Sequence, residues 1–283
     1  MSPEATKRHA ASGAGMDAAQ IAALPQSRPT RFRTSRTIFA LFIREMSTTY
    51  GRSSGGYLWA VAEPIAGILL LTLLFSVALR SPSIGTNFAL FYASGYLPFS
   101  AFMDISQKVA KAVRFSKQLL YYPGVTLVDA LLARFLLNAL TQCVVVVVVL
   151  AGIINIYDVD VILDIKSMAL SIVLVFWLAF GVGVLNCYLQ SMFPVWERIW
   201  SVLTRPLFLI SGVIFIFDDI PQPYQDWLWW NPLVHPVGMM RNGVFSSYDA
   251  SYVSVLYVVT VGAICMMAGL LLLRRYYRDI LLL

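Results

Sequence analysis

Charged residues are scarce in this sequence, and their scarcity excludes a soluble protein. Only 13% of the 283 residues are charged, whereas 59% are hydrophobic. A soluble domain of this size needs a much larger charged surface, so the composition predicts a polytopic membrane protein. Because apolar segments take up most of the chain, we expect no separate catalytic domain.

Histidine and cysteine are also rare. His9 and His235 are too few and too far apart in the sequence to predict a histidine-based metal site. Cys143, Cys187 and Cys265 all lie within apolar runs, where cysteine usually serves as a small core residue. The net charge of +6 is compatible with nucleic-acid binding, but we attribute it to membrane topology and expect no nucleic acid as a partner.

Motifs for nucleotide hydrolysis and group transfer are absent as well. Tyr57 follows the glycine-rich stretch Gly51–Gly56 at the position where a phosphate loop needs lysine, and no G-x-x-x-x-G-K-[ST] pattern occurs. Asp158 and Asp160 form a D-x-D pair, but we place them on the extracytoplasmic side, where nucleotide sugars are not supplied. No acyltransferase-like H-x-x-x-x-D motif is present. We therefore predict that the chain is not an enzyme and binds no metal or cofactor itself.

Long apolar runs define the architecture. Residues 1–33 are polar and lack the apolar core of a signal peptide, which predicts a disordered cytoplasmic tail. Beyond them, six runs are long enough, or nearly so, to cross a hydrocarbon core of ~30 Å, and they lack the alternation of barrel strands. The predicted fold is an all-α polytopic membrane protein with a six-span domain over residues 57–283. The spans are Tyr57–Leu79, Phe88–Ile105, Leu127–Ile154, Met168–Leu189, Trp200–Phe217 and Tyr252–Leu273.

The distribution of lysine and arginine predicts the orientation. Basic residues concentrate before the first span, between the second and third spans, and in the C-terminal tail. The connections on the opposite side carry only Arg80, Lys166 and Arg241 as basic residues, beside several aspartates. By the positive-inside rule, both termini are expected in the cytoplasm.

A basic amphipathic helix and a glycine/serine hinge precede the first span, over residues 34–56. Phe39, Phe42, Ile43, Met46 and Tyr50 recur at helical spacing, which predicts one apolar face. Such a helix lies at the membrane surface. It is either a passive anchor or a collar that fixes the first span and contacts a cytoplasmic partner.

The cytoplasmic connection between the second and third spans is predicted to be helical over residues 107–122. Its basic residues recur every three positions and drift around the helix, and Val109, Val113 and Leu120 leave an apolar side. The segment is either a plain positively charged loop or a helix that docks into a partner and transmits its motion.

Four ionisable residues fall within or at the edges of spans: Glu63, Asp129, Arg134 and Arg205. Charges are expensive in lipid and usually face protein or water. Glu63 and Arg205 lie near predicted cytoplasmic ends, each followed by a proline that distorts the helix. They either snorkel to the surface, line the entrance of a hydrated path, or pair across helices.

An aromatic segment separates the fifth and sixth spans, over residues 218–248. It is too polar to cross the membrane, yet it carries Tyr224, Trp227, Trp229 and Trp230. It is either an interfacial aromatic belt or a re-entrant helical pair that closes the outer mouth of a pathway. Aromatic faces also suit sugar C–H groups, and the second span adds Tyr92, Tyr96 and Phe99 to such a lining.

Two sequence blocks resemble a known family. F-I-R-E-M-S-T-T-Y-G-R-S-S-G-G-Y-L-W-A-V-A-E-P (Phe42–Pro64) and I-P-Q-P-Y-Q-D-W-L-W-W-N-P-L-V-H-P (Ile220–Pro236) resemble the membrane subunit of ABC exporters of capsular and O-antigen polysaccharides. Within the ABC-2 superfamily, the Kps-type capsule permeases are the most similar. The resemblance runs from about residue 35 to the end of the sequence, whereas the tail before Arg31 has no counterpart.

The resemblance implies a homodimer bound to two copies of a separate ATPase subunit, which holds the ATP and Mg. It implies a bacterial inner-membrane location, a lipid-linked acidic polysaccharide as substrate, a periplasmic adaptor or co-polymerase, and an outer-membrane exporter. The ATPase is expected at the interface helix (Thr34–Arg52) and the coupling helix (Gln107–Tyr122), and Asp218–Tyr248 is expected to form the extracytoplasmic gate. The residues expected to couple to the ATPase are Glu45, Lys108, Lys111, Arg114, Phe115 and Lys117.

Two further groups of site residues are expected, one at a lipid-linker entrance and one along the polysaccharide path. A lipid-linker entrance is expected at Arg33, Arg36, Arg44, Arg52, Glu63 and Arg205. The polysaccharide path and gate are expected at Trp59, Tyr92, Tyr96, Phe99, Tyr224, Trp227, Trp229 and Trp230.

The alternative function is that of a permease of the same architecture that exports O-antigen, a teichoic-type polymer, a small lipid or a drug. An enzyme of envelope synthesis and a proton-coupled carrier are weaker alternatives, because no catalytic cluster, inverted repeat or midplane carboxylate relay is apparent.

Overall fold

The computed structural model describes residues 33–49, 56–120 and 125–282. The described residues are mostly helical and contain no strand, which confirms the all-α prediction. Residues Thr37–Leu283 form one compact unit. The predicted tail up to residue 32, the hinge at 50–55, and residues 121–124, which include the end of the predicted coupling helix, lie outside the described residues.

The described helices range from 6 to 31 residues in length. In chain order they are α1 (Arg33–Thr49), α2 (Gly56–Ala78), α3 (Phe88–Ala110), α4 (Ala112–Leu120), α5 (Leu127–Tyr157), α6 (Ile165–Met192), α7 (Pro194–Ile210), α8 (Tyr224–Trp229), α9 (Val234–Val244), α10 (Val255–Arg275) and α11 (Tyr277–Leu282). A 3₁₀ turn, Phe217–Asp219, precedes α8.

Side-chain caps define where several long helices begin. Asn87 accepts a hydrogen bond from the backbone of α3, and Ser254 does the same for α10. At α5, Thr126 and Asp129 form a reciprocal capping box, and Asp164 caps α6. These polar residues satisfy backbone N–H groups that have no partner within the helix. The caps explain why the predicted starts of the second and third spans, Phe88 and Leu127, agree with the structure.

The predicted fifth span has the wrong limits. We expected Trp200–Phe217, whereas α7 begins at Pro194 and ends at Ile210. Proline fits the first helical position because it needs no N–H partner there. Gly212 then adopts a φ of 73°, a left-handed conformation that turns the chain out of the helix. The segment up to Phe217 is therefore a turn and not the end of a span.

Helix α6 lies at the centre of the molecule and packs against α3, α9 and α10. The contact with α10 is close because glycines meet: a Cβ at Gly181 would lie 2.2 Å from the backbone oxygen of Gly262. A Cβ at Gly269 would lie 2.6 Å from the backbone nitrogen of Leu185. Small residues at such crossings let membrane helices approach and gain van der Waals contact.

Four described helices are long and apolar enough to cross a membrane: Leu58–Ala78, Leu127–Tyr157, Ile165–Met192 and Val255–Arg275. They correspond to the first, third, fourth and sixth predicted spans. The predicted second span lies in α3, which carries Asp104 and Lys108, and the fifth lies in α7, which has only 17 residues. The helices of all six predicted spans are present, but two of them are less apolar or shorter than a typical span.

Candidate functional site

The first polar cluster joins α1 to α4 and α5 through an arginine. Glu45 Oε1 lies 3.2 Å from Arg134 Nε, and the two side chains are only 9% and 12% exposed. Burial raises the pKa of Glu45, and the positive charges of Arg134, Arg44 and Lys108 oppose that rise. The Arg134 guanidinium also lies 4.3 Å from the ring centroid of Phe115 on α4. Arg134 therefore connects three helices.

The second cluster fastens α4 to the first turn of α7. Glu197 Oε1 lies 3.1 Å from Lys111 Nζ, and its Oε2 accepts a hydrogen bond of 3.2 Å from Arg114 Nη1. The three side chains are partly exposed, and ion pairs of this kind contribute only about 0–1 kcal/mol to stability. These contacts link α4 and the residue before it directly to the start of α7.

A cavity of about 470 Å³ opens between α2, α3 and α5. Its aromatic wall consists of Trp59, Tyr96 and Phe99. Phe208 on α7 packs behind that wall, with ring centroids 6.3 Å from Tyr96 and 5.3 Å from Phe99. The aromatic wall therefore packs against α7, which Glu197 links to α4.

The opposite side of the cavity is polar. Asp104 Oδ2 accepts hydrogen bonds of 2.9 Å from Lys108 Nζ and from Gln142 Nε2. Gln142 is 5% exposed, and its Oε1 has no hydrogen-bond partner among the described residues. Glu63, an exposed residue on α2, adds a second carboxylate to the lining. Lys108, which we expected to couple to an ATPase, is thus part of this cavity.

The aromatic segment contains the two short helices α8 and α9, and its four aromatic residues have different surroundings. Tyr224, Trp227 and Trp230 are 58%, 73% and 67% exposed. Trp229 is half-buried, and its Nε1 donates a hydrogen bond of 3.1 Å to the backbone oxygen of Tyr252. Its ring lies 5.2 Å from that of His235. Trp229 therefore holds the segment in place, whereas the other three face outwards.

Arg241 is a buried cation that the sequence did not reveal. We counted it among the charges of an extracytoplasmic connection, but it is 1% exposed and lies on α9. Its guanidinium donates hydrogen bonds to the backbone oxygens of Val213 and Phe215, and it lies 4.5 Å from the ring centroid of Phe91. It binds the turn that follows α7. The mostly apolar residues before it in the sequence, V-H-P-V-G-M-M-R, are the feature that could have indicated its burial.

The predicted entrance residues do not form one cluster among the described residues. The side chains of Arg33, Arg36 and Arg52 lie outside the described part of the structure. Arg44 is half-buried, with its guanidinium carbon 6.0 Å from the ring centroid of Phe115, and Arg205 is exposed on α7.

Four further positions from the sequence analysis have distinct surroundings. Tyr92 is 1% exposed and packs among other rings, including Phe75 at 5.3 Å, so it is a core residue in this chain. Lys117 is half-buried and lines a smaller pocket beside Pro194. Cys187 is buried, as expected of a small core residue, whereas Cys143 is exposed on the surface of α5, contrary to that expectation.

Comparison with known proteins identifies several similar sequences. Residues 36–245 match the family model for ABC-2 type transporters. The polysialic acid transport protein KpsM of Escherichia coli is 31% identical over 238 residues, which cover 84% of this chain and 92% of KpsM. The capsule polysaccharide export inner-membrane proteins CtrC of Neisseria meningitidis and BexB of Haemophilus influenzae are 27% and 26% identical, each over 87% of this chain and 92% of its relative.

Proposed function

Because this chain belongs to the family of ABC-2 type transporters, we propose that it is the membrane subunit of an exporter that carries capsular polysaccharide across the bacterial inner membrane. The observation that carries the proposal is the extent of the similarity. Relatives named for polysialic acid transport or capsule export align over 92% of their own length. The match therefore extends over most of the chain and not over a single shared motif.

We propose that α1 and α4 receive the force for transport from a separate ATPase subunit, present in two copies, which also binds the ATP and Mg. The sequence contains no phosphate loop. Two features of α4 support a docking role. It is basic, and it is joined to the membrane domain through Arg134 at one contact and Glu197 at another.

The same contacts suggest how a movement of α4 reaches the transport path. Glu197 joins α4 to the start of α7, and Phe208 near the end of α7 packs against Tyr96 and Phe99. A shift of α4 thus displaces α7 and changes the aromatic wall of the cavity. Aromatic faces give weak contacts to sugar C–H groups, which allow a polymer to slide.

The proposed assembly is a homodimer of six-span subunits with both termini in the cytoplasm. The positive-inside distribution of charge supports this orientation. With it, the cavity beside Asp104 opens towards the cytoplasm, and the aromatic segment at 218–248 forms the extracytoplasmic gate. A periplasmic adaptor or co-polymerase and an outer-membrane exporter complete the route.

Basic residues at the cytoplasmic surface are proposed to attract the anionic linker of a lipid-linked acidic polysaccharide. Arg33, Arg36, Arg44 and Arg52 lie on or beside the interface helix. Each basic residue near an anionic surface contributes ~1 kcal/mol of attraction. Arg44 already contacts the ring of Phe115, so its guanidinium is only partly available to an anionic linker.

Deletion of the gene in its own host tests the proposed function. We expect lipid-linked polymer to accumulate inside the cell and to be missing from the surface, and a plasmid copy to restore the surface polymer. Normal surface polymer in the deletion strain would contradict the proposal and favour export of a small lipid or drug. Loss of polymer from every compartment would instead indicate a role in synthesis.

A further inference from the structure

The cavity between α2, α3 and α5 has the lining of a sugar site, and its charge restricts which sugar fits. Its volume of about 470 Å³ lies within the usual range for small-ligand pockets, roughly 300–1,000 Å³. It combines an aromatic wall with convergent carboxylate and amide groups. Aromatic rings offer faces to sugar C–H bonds, and carboxylates and amides hydrogen-bond to hydroxyl groups.

The polar side is already arranged without a ligand. Asp104 is held by Lys108 and Gln142, which both bond to its Oδ2 atom at 2.9 Å. Those two bonds leave further acceptor capacity on the carboxylate, because an ionised carboxylate has two oxygens and about four lone-pair sites. Gln142 is 5% exposed, and its Oε1 lacks a hydrogen-bond partner among the described residues. Gln142 therefore acts through its Nε2, which positions the Asp104 carboxylate at the cavity.

The charge of the lining disfavours an anionic sugar. Among the described residues that line the cavity, Glu63 and Asp104 contribute two carboxylates, whereas Lys108 is the one basic residue and is paired with Asp104. A uronate, sialate or phosphate group placed here would face two negative charges, and its own charge would be repelled. Hydroxyl groups, in contrast, donate to both carboxylates.

We propose that this cavity is a binding subsite for one uncharged, hydroxyl-rich sugar residue of the exported glycan. Asp104 and Glu63 accept hydrogen bonds from its hydroxyl groups, and Trp59, Tyr96 and Phe99 contact its C–H faces. The inference rests on the proposed function and narrows it: an acidic polymer enters this cavity with its neutral sugar residues, while its anionic groups lie elsewhere.

Binding of sugar fragments to the full chain in lipid nanodiscs tests the proposal. The host's surface polymer is cleaved with mild acid, and anion exchange separates neutral from acidic oligosaccharides. Saturation-transfer NMR titrations then give the affinity of each fraction. We expect the neutral fraction to bind and the acidic fraction to bind at least about tenfold more weakly.

Two substitutions and a control locate the site. Asp104→Asn keeps the shape but removes a charged acceptor, and it should weaken binding of the neutral fraction about tenfold. Trp59→Ala removes an aromatic side chain that is 72% exposed, so the fold should be unaffected while binding weakens. Asp160→Asn removes an exposed carboxylate elsewhere on the chain and should leave binding unchanged.

Three results would overturn the proposal: tighter binding of the acidic fraction, no binding of either fraction, or equal effects of Asp104→Asn and Asp160→Asn. The deletion experiment decides the exporter function separately. If deletion abolishes surface polymer while neutral fragments fail to bind, the exporter function is retained and the assignment of this cavity is wrong.

Discussion

At the scale of single residues, the most informative feature is the pairing of buried charges. The sequence identified Arg134 as an expensive charge in an apolar helix and Glu45 as a surface contact for a partner. The structure instead places them 3.2 Å apart. Their pairing was not predictable, because it depends on how α1 crosses α5 and not on local sequence. The contacts of Arg241 were unpredictable for the same reason, since its partners are backbone oxygens of a turn that is distant in the sequence.

Arg134→Gln should destabilise the protein by about 3 kcal/mol, because it removes the positive charge that lies 3.2 Å from the buried Glu45 carboxylate. Glu45→Gln should cost less, since the remaining guanidinium still lies against Phe115. Unfolding of the purified chain in mixed detergent micelles measures both effects. The double variant should be more stable than the sum of the single effects predicts. Strictly additive losses would show that the two residues do not interact.

At the scale of elements, the connection of α4 to α7 is the central feature. Lys111 and Arg114 were predicted as contacts to an ATPase, and both bind Glu197 in this chain. The prediction that they also face an ATPase stays a prediction. Their location indicates which internal element would respond first to a movement of α4.

Glu197→Gln should therefore reduce export severalfold while changing the free energy of unfolding by less than about 1 kcal/mol, because the pairs are exposed. Surface polymer and thermal unfolding are measured in parallel. Arg198→Gln, an exposed change at the next position, is the matched control and should leave export normal. Unchanged export in Glu197→Gln would show that this ion pair does not transmit movement.

The aromatic segment leads to a second prediction at this scale. Trp229→Leu should destabilise the protein, because it removes a hydrogen bond to Tyr252 and ring contacts with His235. Trp227→Leu and Trp230→Leu remove exposed rings and should reduce export with little change in thermal stability. Normal export in the variant lacking both exposed rings would exclude a sugar contact at Trp227 and Trp230.

The existence of the helices was predictable from the sequence, but some of their limits were not. Long apolar runs predict spans because backbone groups in lipid must be satisfied within the helix. The limits of α7 were missed because hydropathy continues through Phe217, whereas the left-handed Gly212 turns the chain after Ile210. The start of α10 at Val255 follows Ser254, a cap that hydropathy does not register.

At the scale of the whole molecule, the resemblance read from two sequence blocks is confirmed by the family match over residues 36–245. The blocks were sufficient for recognition because they combine unusual residues in a fixed order. The cavity was only partly predictable. Its aromatic residues followed from the second span, whereas Gln142 lies in a run of apolar residues that gave no indication of a site.

Cysteine labelling tests the six-span topology. In a chain whose three native cysteines are replaced by serine or alanine, Arg278→Cys should react with a membrane-impermeant maleimide only after spheroplasts are opened. Asp160→Cys should react in intact spheroplasts, because it lies on the extracytoplasmic side of the proposed arrangement. Labelling of both positions from the same side would exclude the six-span topology.

The most direct test of the account is ATP-dependent movement of polymer in inverted membrane vesicles. The vesicles contain this chain with its ATPase subunit, and lipid-linked polymer is supplied on the outside, which corresponds to the cytoplasm. The account predicts that ATP, but not a non-hydrolysable analogue, makes the polymer resistant to an added polysaccharide-degrading enzyme, and that vesicles without this chain show no protection. Polymer that stays fully degradable, although the ATPase remains active, would contradict the proposed function.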